Sequence, residues 1–136
     1  MRYLGIDLGE KRTGLAAGDD RSGIISPIGG LELPPGAALF DAIGKAAHEH
    51  EAQALILGLP LNMDGSQGSQ AKRVIALGHE LSEQLNMPIH FQDERLTSEA
   101  ADADMAQSGR THQQKKKLRD ALAATHILRD YLECQQ

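Results

Sequence analysis

Residues 2–33 read RYLGIDLGEKRTGLAAGDDRSGIISPIGGLEL. Residues 2–8 carry Tyr3, Leu4 and Ile6 and predict a buried strand with Asp7 near its end. Gly9-Glu10-Lys11-Arg12 is a tight turn, and residues 13–18 are a second, Ala-rich strand. Residues 19–23 turn again, and residues 24–33 predict a third strand broken by Pro27 and Gly29-Gly30. Three strands joined by short turns make an antiparallel meander.

Beyond the meander the period changes. Pro34-Pro35-Gly36 stops the third strand, and a helix over about 37–50 places Leu39, Phe40, Ile43 and Ala47 on one side. Residues 52–59 form a near-continuous apolar run, the pattern of a strand covered on both faces. A polar loop, 61–70, leads into a helix whose Val74, Leu77, Leu81 and Leu85 lie on one stripe. Residues 88–92 predict a fifth strand running into Asp93-Glu94-Arg95. Thr97 or Ser98 caps a short helix to about Ser108, closed by Gly109, and residues 111–117 lead into a last helix ending near Glu133. The fold class is therefore α/β: a mixed five-stranded sheet, meander plus parallel strands, flanked by helices.

Composition narrows the function classes. The chain has 136 residues, 40% hydrophobic and 24% charged, which fits one globular domain over 1–136 and excludes disorder. The longest apolar run, Ala52 to Leu61, contains Gln53 and is too short to span a bilayer. No secretory signal is read at the N-terminus, and the single cysteine, Cys134, excludes a disulfide framework; the cytoplasm is the expected compartment, with no membrane partner. The net charge of -5 and only four aromatics (Tyr3, Phe40, Phe91, Tyr131) argue against a generic basic DNA-binding domain and against a base-stacking platform. Nucleic-acid contact then needs a local basic patch.

Three acids stand out. Asp7 ends a central strand, where a carboxylate is costly unless it is paired or binds a cation; the plainer alternative is that it accepts backbone hydrogen bonds of the next turn. Glu94 lies just past a strand, at the kind of position where α/β sheets build sites; alternatively it pairs with Arg95, and Asp93 simply orders the turn. On the last helix Asp120 falls between Ile127 and Tyr131, roughly 20° from each and outside the polar arc. Three converging carboxylates repel one another, and two Mg²⁺ or Mn²⁺ ions held about 3.5–4 Å apart would balance them together with a phosphodiester. Oxygen-only ligands suit these ions rather than Zn²⁺.

The cations fit a phosphate ligand. Arg110, Lys115, Lys116, Lys117 and Arg119 form a run without an acid that leads to Asp120, while Lys11 and Arg12 lie just beyond Asp7 and Arg95 beside Glu94. Such a run is otherwise a solvated helix face. Asn62 and Asp64 read first as turn chemistry with a helix cap, and they could also rim the site. The six histidines form no ligand cluster, and there is no P-loop.

Four blocks make the chain resemble a known family: GIDLGEKRTGLA (5–16), LGLPLNMDGSQG (57–68), DERLTS (93–98) and KLRDALAATHILRDYL (117–132). It resembles the YqgF/RuvX family of RNase H-like nucleases. The resemblance implies an RNase H-like fold and catalytic, metal-binding acids at Asp7, Glu94 and Asp120. It implies a metal-dependent phosphodiester endonuclease acting in 5′-end processing of pre-16S rRNA, with ribosomal precursor particles among its partners. Cleavage of four-way DNA junctions is the alternative, and the protein is then expected as a homodimer rather than a monomer. Two rivals from other classes are one lobe of an actin-like ATPase or sugar kinase, for which the chain is short, and a binding module without catalysis, for which lost acids are expected.

Overall fold

The structure, a computed structural model, describes residues 1–94 and 112–134. Strands β1 (Arg2–Leu8), β2 (Thr13–Asp19) and β3 (Ile25–Leu31) are followed by helix α1 (Ala37–Glu49), β4 (Ala54–Leu59), α2 (Ser69–Leu85), β5 (Ile89–Asp93) and α3 (His112–Cys134). The short helix expected over 97–108 lies outside the described residues. The sheet order is β3-β2-β1-β4-β5. β1 pairs antiparallel with β2, and β2 with β3, whereas β1–β4 and β4–β5 are parallel. This is the mixed sheet the sequence predicts.

Alternation along the strands divides the protein into two layers. Leu4, Ile6 and Leu8 of β1, Leu15 of β2 and Leu55 and Leu57 of β4 pack with Leu39, Phe40 and Ile43 of α1 and with Val74 and Leu81 of α2. The opposite face, with Tyr3, Ala54 and Ile56, packs against Ile127, Leu128 and Leu132 of α3. There the sheet is lined with small residues. A Cβ on Gly5 would stand 3.0 Å from the carbonyl oxygen of Ala124, and one on Gly14 would land on the backbone of Asp120. These glycines let α3 lie close against the sheet, and they fix where its N-terminal half crosses it.

Two details differ from the sequence expectation. Pro27 and Gly29-Gly30 do not break β3. The strand runs on, and the register slips so that Leu15 pairs with Gly29 and Ala16 with Pro27, leaving Ile28 as a bulge. The missing N–H of Pro27 is tolerated because β3 is an edge strand. β4 starts at Ala54 rather than at residue 52: the Ala52 N–H still donates to the carbonyl of Ala47 at the end of α1, and the Gln53 N–H donates to that of Arg2 at the start of β1. Among the described residues no helix is long and apolar enough to cross a membrane.

Candidate active site

Because β1, β4 and β5 are parallel, their C-terminal ends lie on one side of the sheet. Asp7 stands near the end of β1, opposite Gly14 of β2, on the face that α3 covers. Glu94 is the first residue after β5, and its N–H donates to the carbonyl of Leu59 at 3.3 Å. Its side chain lies over Gly58, where a Cβ would run into both the Glu94 carboxyl and Ile127. The Asp7 carboxyl is close enough that the two acids shift each other's pKa. Asp120 enters from α3. Its backbone is seated on Gly14, the strand neighbour of Asp7, and its side chain lies over Gly30 of β3.

The electrostatics follow from burial. Glu94 is pushed up to about 9, first by burial and then by the charge of Asp7, the hydrogen bond with it, and the charge of Asp93. Asp7 is also raised, by burial and by the charge of Asp120, against the lowering effect of the Glu94 hydrogen bond. Burial and mutual repulsion therefore favour keeping a proton on the Asp7–Glu94 pair. Asp120 is raised by burial, opposed by Arg12, whose Nε donates to its Oδ2 at 3.0 Å.

The three acids thus separate into a coupled Asp7–Glu94 pair and an Asp120 bound to Arg12. Among the described residues no three His, Cys, Asp or Glu side chains form a ready-made metal cage. The donor set nevertheless fits a hard dication. It is all oxygen and half-buried, and a proton held on such carboxyls is of the kind that cation binding displaces.

The other candidates are spread around this point. Lys11 is exposed on the β1–β2 turn, next to Arg12. On α3, Lys115 and Lys117 are exposed and Lys116 is half-buried, within the turn and a half preceding Asp120. Arg95 and Arg110 lie outside the described residues.

Asn62 and Asp64 build their own loop. The Asn62 amide donates to Ser66 Oγ at 3.0 Å, and Asp64 accepts from the Ser66 N–H at 2.9 Å. Neither caps the next helix, since α2 has Gly68 as its N-cap residue and no side-chain cap. The loop leaves β4 at the same end of the sheet as Asp7 and Glu94. Sequence reasoning gave Arg12 only a phosphate role and missed its bond to Asp120. It also missed Gly14 and Gly58, although small residues recurring on one strand face are a readable sign of a close helix.

A family model described as "RuvX: Holliday junction resolvase" matches residues 1–134. The chain is 36% identical over 137 residues to a protein of Caldanaerobacter subterraneus, covering 100% of this chain and 99% of that one. It is 35% identical over 137 residues to one of Lactobacillus gasseri, covering 98% and 96%. Both relatives carry the name "Putative pre-16S rRNA nuclease". Among solved structures, the fowlpox virus resolvase with Holliday junction DNA aligns with a TM-score of 0.61 at 14% identity, covering 99% of each chain. Thermus thermophilus RuvC aligns at 0.56 with 11% identity, covering 99% of this chain and 96% of that one. The fold is therefore RNase H-like, of the kind found in these resolvases.

Proposed function

The chain belongs to the RuvX family, and from that premise we propose that it is a dication-dependent endonuclease whose substrate is the 5′ precursor end of pre-16S rRNA. It is a hydrolase of phosphodiester bonds acting on nucleic acid. The observation that carries the proposal is the buried pair of Asp7 and Glu94 at the parallel strand ends, with Asp120 beside it. Asp7, Glu94 and Asp120 would hold Mg²⁺ or Mn²⁺. When bound, such ions activate a water and stabilise the departing 3′ oxygen.

The chain's own residues do the rest. Burial behind α3 keeps the acids out of bulk water and strengthens their attraction for cations. Gly58 leaves room for the Glu94 carboxyl, whose affinity for a proton is raised by burial and by Asp7. Lys11, Arg12 and the residues Lys115 to Lys117 orient the phosphate backbone, and they carry no base-reading role. Arg95, Arg110, Asn62 and Asp64 complete the proposed contact surface, and ribosomal precursor particles are the physiological setting.

Cleavage of four-way DNA junctions is the second reading, favoured by the description of the family. It requires two active sites and hence a symmetric dimer. A cleavage assay with Mg²⁺ or Mn²⁺ separates the two. Offered precursor rRNA, a four-way junction and plain duplex side by side, the protein is expected to cut the precursor fastest. Faster cutting of the junction replaces the first reading with the second, and no cutting of any of them contradicts both.

A further inference from the structure

Arg12 sits in a turn that is fixed on both sides. The N–H of Gly9 donates to the carbonyl of Arg12 at 3.0 Å, and Glu10 accepts from Arg73 of α2 at 3.2 Å. From this anchored position the Arg12 side chain reaches the other layer and binds Asp120 of α3. The two partners are unequal. The Asp120 side chain is 13% exposed and lies against Gly30, whereas that of Arg12 is 35% exposed. Arg12, the more exposed partner, has room to swing away from Asp120. The bond uses Nε, and a guanidinium fork presents a further pair of donors suited to two phosphate oxygens.

We propose that Arg12 is a positioning residue that changes partners: it holds the Asp120 carboxylate while the site is free of substrate, and releases it to take a backbone phosphate when Asp120 turns to a cation. This rests on the reading of the site as a dication-dependent nuclease. It gives the free protein a reason to keep Asp120 apart from the Asp7–Glu94 pair, since the arginine stands in for positive charge not yet bound. It also ties cation capture to substrate capture, because the same event that engages Asp120 frees the guanidinium for the nucleic acid.

The test is Mn²⁺ titration by calorimetry, without nucleic acid, on the wild type, Arg12→Ala, Asp120→Asn and the double variant, with melting temperatures to verify folding. Arg12→Ala is expected to bind Mn²⁺ about tenfold more tightly, because the competing charge-assisted bond is gone. In the Asp120→Asn background the same substitution is expected to change Mn²⁺ affinity by less than about twofold, since Arg12 then has no carboxylate to release. In cleavage, Arg12→Ala is expected to raise KM several-fold for the nucleic acid. Equal or weaker Mn²⁺ binding by Arg12→Ala overturns the proposal. A tightening that persists with Asp120→Asn also overturns it, leaving Arg12 as a distant charge, and an unchanged KM removes its phosphate role. If the wild type binds no Mn²⁺ at all, the nuclease reading of the site fails first, and the partner exchange falls with it.

Discussion

Glu94 binds its proton far more tightly in the folded chain than at its ordinary value of 4.5, being pushed up to about 9. Between those two values the folded chain holds more protons than the unfolded one, so stability falls as pH rises. Without dications, the contribution is fully present below about pH 4.5 and is lost on the way to pH 9; Asp7, also raised, acts in the same direction. Thermal melts in EDTA should therefore show a midpoint that drops from pH 5 to pH 9, and Glu94→Gln should flatten that slope. A midpoint that rises over the same range would contradict the protonated pair. A second residue tests packing alone. The Thr13 hydroxyl is fully buried and is without a hydrogen-bond partner among the described residues. Thr13→Val should raise stability by about 1 kcal/mol, since an unsatisfied buried hydroxyl is costly, and a lowered melting temperature would refute this. Asp7 was legible in the sequence because a carboxylate at the end of a central strand demands an explanation. Its coupling to Glu94 was not, because that depends on which strands end together and how closely their side chains meet.

At the scale of elements, α3 is the piece that completes the site, and two glycines test its seat in different ways. A methyl group on Gly14 meets the Asp120 backbone, which cannot turn aside, so the helix itself must move. Gly14→Ala should cost about 2 kcal/mol or more, in the range of core overpacking, or about 6 °C in melting temperature for a chain of this size. On Gly58 the obstacles are the ends of the Glu94 and Ile127 side chains, which can yield. Gly58→Ala should therefore lower cleavage at least tenfold while changing stability less than Gly14→Ala does. Equal effects on both quantities in both variants would mean that α3 is not the element that sets the acids. The strands and α2 were readable because period 2 and the i, i+3, i+7 stripe are local properties. The Ile28 bulge was not, since a register slip is decided by the neighbouring strand rather than by the sequence of β3. The burial of Asp120 was anticipated by its place between Ile127 and Tyr131 on the helix wheel; its bond to Arg12 joins residues far apart in the chain and leaves no local pattern.

For the whole molecule the question is how a chain with net charge -5 holds a polyanion. In the proposed reading the answer lies in distribution: Lys11 and Arg12 on one turn and Lys115, Lys116 and Lys117 near the start of α3 contact the phosphates, and dications, when bound, would add to their field. Binding should weaken steeply with salt, and Lys116→Ala should lower the salt slope by about one if the residue meets a phosphate. An unchanged slope would make the lysine run a solvated helix face. Nothing in the sequence separates an RNA substrate from a DNA one, because phosphate contacts position the backbone without reading its chemistry. The central claim is that three acids from distant parts of the chain form one hydrolytic centre. Its most direct measurement is cleavage by Asp7→Asn in Mg²⁺, beside the wild type and with circular dichroism and melting curves on both. Loss of a ligand that supports several kcal/mol of charge stabilisation should slow cleavage by about a thousandfold or more in a protein that is still folded. A folded Asp7→Asn that cleaves at the wild-type rate would contradict the account.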